Sequence, residues 1–365
     1  MNKSSILQII SSSAWGGREQ HVKDLTKGLK ENGHNVIVIT RNYPDMINHY
    51  KEVAEVVALP LRNMVDLHSI KILVDLIKRY KVDLIHTHAG RDAWIAVLAT
   101  KIAGRGKVFN TRHTVSRVKN DIAHRWYYNN LEKVICVSHL VRNEFLKACS
   151  VIKPEKAVVV YNGVDTKKLI QGSGQEIRAK LASQDFYLIG YAGRISGEKG
   201  LEYLIEAGRY LRDKQYKVKI VIAGDGKEDY LQLLRDKISQ LDMTESVVFW
   251  GFTNNIANFM NAIDIFILPC VWQEAFGLVL CEAMVCKKVV ITTNSGAQAE
   301  LITSGQDGFL VSPRSPKEIA DIIASLIEDP NYARQIGENA RAKVLSCFTL
   351  EKMIESMEKC YQGEI

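Results

Sequence analysis

The sequence predicts two doubly wound α/β domains, each built on a parallel sheet covered by helices. Three observations support this fold class. The chain has 365 residues, which is more than one ordinary hydrophobic core accommodates. A β-loop-α-β pattern opens the chain, and a second alternation of the same kind begins near residue 187. Hydrophobic residues make up 47% of the chain and charged residues 24%, as in folded globular proteins.

The first domain opens with an apolar run at residues 4–10, which predicts a strand. A polar, glycine-rich loop at residues 11–17 follows, and then a helix is expected over residues 20–32. Ligands of doubly wound folds bind beyond the carboxyl ends of the strands. Gly16 and Gly17 in the loop W-G-G-R-E are therefore candidates for bringing backbone N–H groups to a phosphate or a sugar. The alternative is an ordinary β–α turn.

Histidines stand at the ends of two further strands of this half. V-D-L-I-H-T-H-A-G places His86 and His88 two residues apart. A metal site would need a third ligand, and none stands at a suitable spacing, so we expect the pair to line a cleft. The strand K-V-F-N-T-R is followed by His113, a candidate catalytic residue. A lone histidine of this kind is otherwise structural.

Positive charge is concentrated in the first half of the chain. Residues 1–165 contain 25 Lys and Arg against 15 Asp and Glu, a net charge of +10, whereas the remainder has a net charge of −3. Residues 101–150 alone hold ten basic and three acidic side chains. Such a surface favours an anionic membrane, an anionic acceptor or nucleic acid. No recognised nucleic-acid-binding motif is present, so we do not expect nucleic acid as a partner.

One basic segment also carries aromatic side chains. Arg117, Lys119 and Arg125 stand close in sequence to Trp126 and Tyr127. A basic helix with aromatic residues predicts a peripheral contact with an anionic membrane surface. The alternative is a solvated cationic face over a buried aromatic stripe.

The second half begins with a strand at residues 187–191 and the loop A-G-R-I-S-G-E-K-G. Arg194 and Lys199 stand where the strand gives way to a helix, a position suited to clamping a diphosphate. The alternative is two solvated loop residues. A later turn, A-G-D-G-K-E-D, begins like a dinucleotide fingerprint but has Asp229 in place of the third glycine. That difference argues against a nicotinamide-dependent oxidoreductase.

The most informative stretch is F-I-L-P-C-V-W-Q-E-A-F-G-L-V-L-C-E. The apolar run at residues 265–268 predicts a buried strand, and a helical pattern begins near Gly277. Glu274 precedes this helix and Glu282 lies in its second turn. A helix N-terminus carries partial positive charge and suits a phosphate. The backbone N–H groups expected there belong to Phe276, Gly277 and Leu278. The alternative is a buried helix with a capping glutamate.

The string E-A-F-G-L-V-L-C-E-A-M resembles the E-x7-E signature of the retaining glycosyltransferases of family 4 (glycosyl transferases group 1). The G-R-x-x-x-x-K-G pattern of that family is matched residue for residue at 193–200, and its N-G-V-D segment at 162–165. The loop W-G-G-R-E resembles its G-G-x-E loop. The resemblance covers nearly the whole chain. It implies the GT-B architecture, in which two Rossmann-like domains face each other across a cleft.

The resemblance also implies roles for individual residues. Glu274 is expected to contact the donor sugar and Glu282 the nucleotide ribose. Arg194 and Lys199 are expected to hold the donor pyrophosphate, and His113 corresponds to a histidine that approaches the donor sugar at the reaction centre. The remaining donor-binding residues implied by the family are Gly16, Gly17, Phe252 (beside the nucleotide base), Phe276, Gly277 and Leu278. His86, His88 and Arg91 fall on the acceptor side.

The chain departs from the family pattern in one loop of the second half. The family often has two glycines and a proline before Glu300, whereas this chain has S-G-A-Q-A at residues 295–299. Gly296 and Glu300 remain, so we expect the loop itself to be retained, while the family's detailed donor contacts there are not carried over.

The expected domain organisation follows from the same resemblance. An N-terminal acceptor-side domain is expected at residues 1–165 and a C-terminal donor-binding domain at residues 166–345. Residues 346–365 are expected to form a C-terminal helix that returns to the first domain.

The implied function is transfer of a hexose, with retention of configuration, from a UDP- or GDP-sugar to a glycan or lipid-linked acceptor. The expected setting is synthesis of bacterial cell-surface polysaccharide or lipopolysaccharide. The nucleotide sugar is a co-substrate, so no cofactor is expected. No metal is expected either, because the sequence has no D-x-D string and basic side chains can serve the diphosphate. The alternatives are a nucleotide-sugar epimerase of the same architecture and a noncatalytic carbohydrate-binding protein.

The expected location is the cytoplasm, at the inner face of the cell membrane if the basic segment binds lipid. Seven scattered cysteines fit neither a zinc site nor a disulfide framework, which favours a reducing compartment. The N-terminal apolar run is too short for a signal peptide. No segment approaches the roughly 18 apolar residues needed to span a bilayer.

Overall fold

A computed structural model describes residues 3–116, 118–181 and 185–365. The chain divides into two compact units. The first comprises Met1–Gly163 and Leu350–Ile365, and the second comprises Val164–Thr349. The boundaries expected from the sequence lie two and four residues from these. None of the described helices is long and apolar enough to cross a membrane.

The first unit contains a parallel sheet with the strand order β3-β2-β1-β4-β5-β6-β7. Its strands within the described residues are β1 (Ser5–Ile10), β2 (Asn35–Thr40), β3 (Glu55–Ala58), β4 (Leu84–Thr87), β5 (Lys107–Arg112), β6 (Lys133–Cys136) and β7 (Ala157–Val159). The order reverses between β1 and β4, which pair in parallel from Ile6 with Leu84 to Ile9 with Thr87. Ligands of such sheets bind beyond the carboxyl ends of the strands at this switch point.

Helices alternate with these strands. They are α1 (Gly17–Glu31), α2 (Pro44–Lys51), α3 (Leu67–Arg79), α4 (Gly90–Ala103), α5 (Ile122–Asn129) and α6 (His139–Ala148). Ser138 caps α6 by accepting a hydrogen bond from the N–H group of Val141. Helix α1 begins three residues earlier than its apolar pattern indicated, because the acidic Glu19 stabilises a first turn that carries no apolar stripe.

The second unit contains another parallel sheet, with the order β10-β9-β8-β11-β12-β13. Its described strands are β8 (Tyr187–Ala192), β9 (Val218–Ala223), β10 (Val247–Gly251), β11 (Ile265–Leu268), β12 (Val289–Thr293) and β13 (Phe309–Val311). The switch point lies between β8 and β11. Strand β11 has the bounds that its apolar run predicted, because every one of its residues is buried from both sides.

The helices of the second unit complete the alternation. They are α7 (Thr166–Ile170), α8 (Gln175–Lys180), α9 (Leu201–Asp213), α10 (Glu228–Gln240), α11 (Ile256–Ala262), α12 (Leu278–Val285), α13 (Gln298–Leu301), α14 (Pro316–Glu328) and α15 (Pro330–Cys347). Short turns of 3-10 helix occur at Pro154–Lys156 in the first unit and at Gly197–Lys199 in the second.

The last helix, α16 (Leu350–Gln362), belongs to the first unit. Its apolar face, which includes Met353 and Met357, joins the core formed by Ile6, Leu25 and Phe109. Packing of α16 on α1 is close, since a Cβ atom on Gly28 would lie 2.0 Å from the Cδ1 atom of Ile354. The C-terminal helix therefore supplies part of the first unit's hydrophobic core.

Candidate active site

The switch point of the second unit brings together the charged residues singled out in its sequence. Strand β8 leads into Gly193 and Arg194, and the adjacent strand β11 leads into the loop that ends at Glu274. Because parallel neighbours end at the same edge of a sheet, both loops leave the sheet side by side. The two loops are joined by a hydrogen bond from the N–H group of Val271 to the carbonyl oxygen of Glu198.

Lys199 and Glu274 form an ion pair at this edge. The Nζ atom of Lys199 donates to Oε2 of Glu274 at 2.6 Å, and each side chain is 20% exposed. Burial alone would lower the pKa of Lys199, but the Glu274 carboxylate outweighs it and holds the pKa above its ordinary value. Lys199 therefore stays cationic at neutral pH, in a setting drier than bulk water where its charge acts more strongly on a ligand.

Arg194 is the most accessible charge of the group. Its side chain is 71% exposed, and its guanidinium lies 4.0 Å from the Glu198 carboxylate, a long and weak pairing. The backbone beneath it is fixed, because the hydroxyl of Tyr191 donates to the Arg194 carbonyl oxygen at 2.7 Å. The guanidinium is thus free to reorient towards an anionic ligand while its backbone stays in place.

Glycines hold the three loops of this site together. A Cβ atom on Gly200 would lie 2.3 Å from the carbonyl oxygen of Pro269. On Gly296 it would lie 2.4 Å from both the N and O atoms of Glu274, and the N–H group of Ala297 donates to that same oxygen at 2.8 Å. This close approach explains why Gly296 is retained in the divergent S-G-A-Q-A loop, which supports Glu274 through its backbone.

Helix α12 begins where the sequence indicated. Its N-cap, Gly277, has φ +95°, a conformation that favours glycine, and no side chain caps the helix. Leu278 is the first helical residue and Glu282 lies in the second turn, partly exposed. Phe276 is buried and its ring packs edge-on against Phe348, so this residue can offer a ligand only its backbone. Phe252 follows β10 at the same edge of the sheet and is 56% exposed.

The loop after β1 in the first unit holds Gly16 and Gly17 beside a buried polar group. Gly16 is the N-cap of α1 and Gly17 its first residue, so the helix N-terminus faces this loop. Glu19 is buried and receives hydrogen bonds from Arg18 at 2.9 Å and from Ser12.

A second buried carboxyl lies on the other side of this switch point. Asp92 has no exposed surface and accepts a hydrogen bond from the N–H group of Ser11 at 2.9 Å. Burial raises its pKa to about 6. Arg91 is partly exposed and donates to the Oγ atom of Ser11 at 2.7 Å, which ties α4 to the loop after β1.

The structure contradicts the acceptor-side expectation for His86, whereas for His88 and Arg91 it stays a prediction. His86 is fully buried within β4, and its Nδ1 and Nε2 atoms lie 2.7 Å from the Tyr361 hydroxyl and 2.6 Å from the Thr111 hydroxyl. A side chain so enclosed cannot contact an acceptor. His88 is also buried and bonds to Gln8. The sequence pattern was misleading because Tyr361 of α16, at the far end of the chain, covers His86.

His113 directly follows β5, as expected, and is the partly exposed member of a histidine group. Sequence spacing offered no third ligand beside the strand-end histidines, but the structure brings a third imidazole close to two of them. His21 of α1 comes close to His88 and His113, with one ring nitrogen from each within 4.8 Å of the others. Spacing did not reveal His21, because it lies more than 60 residues from its neighbours and reaches them only through the pairing of β1 with β4.

The predicted membrane segment corresponds to α5 and the residues before it. Arg117 lies outside the described residues. Lys119 and Arg125 are exposed and Trp126 is 40% exposed, but Tyr127 is buried and stacks on Trp94 with ring centroids 4.6 Å apart. The aromatic contribution to this surface therefore comes from Trp126 and not from Tyr127. Ile122, at the start of α5, is also exposed.

Two family models match the chain. One, described as Glycosyltransferase Family 4, matches residues 15–168, and the other, Glycosyl transferases group 1, matches residues 173–343. Each of the two compact units thus corresponds closely to one of the models, and together the models span most of the chain.

Similarity to individual proteins extends over almost the full length. A solved glycosyltransferase from Rickettsia africae ESF-5 is 26% identical with a TM-score of 0.88, covering 100% of this chain and 99% of that one. Anabaena Alr3699/HepE, solved in complex with UDP-glucose, is 25% identical with a TM-score of 0.86, covering 99% and 100%. The capsular polysaccharide biosynthesis glycosyltransferase CapM of Staphylococcus aureus is 24% identical over 362 residues, 91% of each chain.

Proposed function

Because the chain belongs to the group 1, family 4 glycosyltransferases of GT-B fold, we propose that it transfers a hexose from a nucleoside diphosphate sugar with retention of configuration. The observation that carries the proposal is the cluster at the switch point of the second unit. There Arg194, the Lys199–Glu274 pair and the uncapped N-terminus of α12 surround one edge of the sheet. This combination offers positive charge to a diphosphate and a carboxylate to sugar hydroxyls.

The proposed catalysis is electrostatic. As the bond between the sugar and the phosphate breaks, negative charge grows on the departing diphosphate. Lys199 and Arg194 stabilise that charge, together with the N–H groups at the start of α12. Each such contact typically contributes about 10²–10³ in rate. Because Lys199 and Arg194 are both positively charged, this step needs no metal ion.

Glu274 is proposed to orient the donor and not to act as a nucleophile. Without ligand its Oε2 atom is held by Lys199. When a diphosphate engages Lys199, Glu274 becomes free to accept hydrogen bonds from sugar hydroxyls. The ion pair thereby keeps both side chains near their ligand-binding positions, which lowers the entropic cost of binding.

A UDP-hexose is the proposed donor. The support is the solved complex of Anabaena Alr3699/HepE with UDP-glucose, which shares the fold over the whole chain. Phe252 presents an exposed ring at the carboxyl end of β10, where a planar base can stack.

The proposed acceptor is a growing cell-surface glycan on a lipid carrier, handled at the cytoplasmic face of the membrane. The capsular relative from Staphylococcus aureus supports the glycan. Lys119, Arg125 and Trp126 support the membrane contact, because each basic residue near an anionic surface contributes about 1 kcal/mol.

The test is a product assay with purified protein, UDP-glucose and UDP-galactose as donors, and a lipid-linked oligosaccharide as acceptor. Transfer is expected to give an α-linked product from these α-configured donors and to continue in excess chelator. A β-linked product would contradict retention, and activity that vanishes with chelator and returns with Mg²⁺ or Mn²⁺ would contradict metal independence. Conversion of the donor into an epimer without acceptor would show an epimerase instead.

A further inference from the structure

Three histidine side chains from three elements meet in the first unit. His21 lies in the second turn of α1, His88 directly follows β4 and His113 directly follows β5. Strands β4 and β5 are parallel neighbours, so their carboxyl ends place His88 and His113 side by side. The Nδ1 atom of His88 lies 3.1 Å from the Nε2 atom of His113, and a nitrogen of His21 lies within 4.8 Å of both.

We propose that these three imidazoles form a binding site for a divalent transition-metal ion, with Zn²⁺ as the favoured ion and a water molecule as the fourth ligand. Three histidines plus water is an established zinc coordination set, and imidazole nitrogen suits Zn²⁺ better than Mg²⁺ or Ca²⁺. With Zn–N bonds of about 2.0–2.1 Å, two ligand nitrogens of a tetrahedral site stand about 3.3 Å apart. The 3.1 Å separation of the His88 and His113 nitrogens is close to that value.

Gln8 prepares His88 for this role. The Oε1 atom of Gln8 accepts a hydrogen bond from Nε2 of His88 at 2.7 Å. This bond fixes the proton on Nε2 and leaves a lone pair on Nδ1, which accepts a hydrogen bond from Nε2 of His113. A metal ion would replace that hydrogen bond, with His113 then carrying its proton on Nδ1. Metal-binding histidines are held in the same way by an oxygen acceptor on the other ring nitrogen.

His21 supplies the third ligand. It is buried, and neither ring nitrogen makes a hydrogen bond of normal geometry to the described residues. The side chain of Asn162 lies near the ring but forms no well-aligned hydrogen bond with it. A buried imidazole without a well-formed hydrogen bond costs free energy that a metal ion would recover. One of its ring nitrogens lies within 4.8 Å of a nitrogen of each of the other two rings, so it must move closer to reach ligand distance.

The surrounding charges allow a cation. Arg18 lies near His88 and His113 and opposes positive charge there, but its guanidinium is bound to Glu19, whose buried carboxylate compensates. His113 is partly exposed and gives solvent and ions a route to the group. His86 is not part of the site, because both of its nitrogens already face the hydroxyls of Tyr361 and Thr111.

The metal proposal does not depend on the proposed function. If His113 takes part in transfer, as the family resemblance implies, a metal ion on its ring nitrogen should inhibit transfer, and a chelator should restore the rate.

The experiment is calorimetric titration of tag-free, chelator-treated protein with Zn²⁺ at pH 7.5, in a Cys347→Ser background that removes the exposed thiol. One site per chain is expected. His21→Gln should weaken binding by about 100-fold or more and Gln8→Ala by about 10-fold, since partners of metal ligands typically contribute 10–100-fold. The matched control is His68→Gln, an exposed histidine of α3, which should leave the affinity unchanged.

Cobalt(II) provides a second readout. It should give the visible absorption of a tetrahedral nitrogen site in the parent protein and lose it in His21→Gln. Equal zinc affinity in the parent and in His21→Gln would overturn the proposal. It would also be overturned if the parent bound no Zn²⁺, or if His68→Gln abolished the binding. Inhibition of transfer by Zn²⁺, compared with each variant's own zinc-free rate, should occur in the parent and not in His21→Gln. A parent protein that transfers sugar but shows no zinc binding by calorimetry would refute only the metal proposal. A parent protein that binds Zn²⁺ but transfers no sugar would refute only the proposed function.

Discussion

The two units place opposite chemistry at equivalent topological positions. In the second unit, the switch point between β8 and β11 carries full charges in partial contact with water, namely Arg194 and the Lys199–Glu274 pair. In the first unit, the strands at the switch point and beside it end in His88 and His113, whose pKa values burial holds well below their ordinary range. One site therefore offers permanent positive charge and the other offers neutral imidazoles.

This difference shows that a doubly wound sheet determines where a ligand binds but not which ligand. Permanent cations select a diphosphate, because their charge persists at any physiological pH. Neutral imidazoles select hydroxyl groups or a soft cation, because they offer lone pairs without net charge. We accordingly propose the second unit for the donor nucleotide and the first unit for the acceptor and the metal ion.

The largest expected effect comes from removing the charges of the second unit. Arg194→Ala combined with Lys199→Ala should lower kcat/KM by at least about 10³-fold, because each contact to the departing diphosphate is typically worth 10²–10³. Thermal unfolding should stay cooperative, since Arg194 is exposed and Lys199 lies in the short turn Gly197–Lys199, outside the sheet. Arg235→Gln, an exposed ion-paired arginine of α10, serves as the control and should retain the parent rate. Normal turnover in the double variant would contradict the proposal that Arg194 and Lys199 stabilise the departing diphosphate.

A smaller effect is expected from disturbing the loop that supports Glu274. Gly296→Ala places a Cβ atom 2.4 Å from the Glu274 backbone, so a loop must shift. Overpacking of this kind costs about 1–3 kcal/mol of unfolding free energy. The donor KM should rise with it, because Glu274 moves. Gly90→Ala is the matched control, since no atom lies within 4 Å of its added Cβ. Equal behaviour of the two variants would show that Gly296 does not position the site.

Sequence patterns were sufficient for the local features on which this contrast depends. The bounds of β11 and the placement of Arg194 and Lys199 after β8 are set by neighbours in the chain. The spacing of apolar residues and the presence of turn-forming residues determine such features within a few positions, so they can be predicted from the sequence alone.

Long-range features were not accessible in the same way. The pairing of Lys199 with Glu274 spans 75 residues and depends on β8 lying next to β11. The approach of His21 to His88 depends likewise on β1 lying next to β4. Strand order is a tertiary property that no local pattern contains. The enclosure of His86 was missed for the same reason, since Tyr361 reaches it from the far end of the chain.

The buried carboxyl group of Asp92 in the first unit predicts that the protein's stability depends on pH. Asp92 has a pKa raised by burial to about 6, so the folded state binds a proton more tightly than the unfolded state. Its contribution to stability is therefore largest below about pH 4 and is lost as pH rises towards 6. The upper limit is about 3 kcal/mol, at 1.36 kcal/mol per pKa unit.

Comparison with Asp92→Asn isolates this contribution. Chemical denaturation at pH 4, 5, 6 and 7 should show the parent losing stability relative to the variant as pH rises. A constant difference across these values would mean that the pKa of Asp92 is the same in the folded and the unfolded protein.

The smallest expected effect concerns the membrane surface of the first unit. Lys119→Gln with Arg125→Gln should weaken binding to anionic vesicles by roughly 10- to 30-fold at low salt, at about 1 kcal/mol per residue. Lys317→Gln with Arg334→Gln removes the same charge from exposed positions of the second unit and should have little effect. Similar losses in both pairs would indicate a response to net charge, and undiminished binding to neutral vesicles would exclude an electrostatic contact.

The division of labour between the units is tested most directly by nucleotide binding to the parent protein and to Arg194→Ala and Lys199→Ala separately. Calorimetry with UDP and with uridine separates the diphosphate from the base. UDP should bind the parent far more tightly than uridine does, and each variant should lose about 10- to 100-fold for UDP, since hydrogen bonds to charged groups contribute about 1.5–3 kcal/mol. Uridine affinity should stay the same in all three proteins. Unchanged UDP affinity in both variants would contradict the assignment of the donor diphosphate to the second unit.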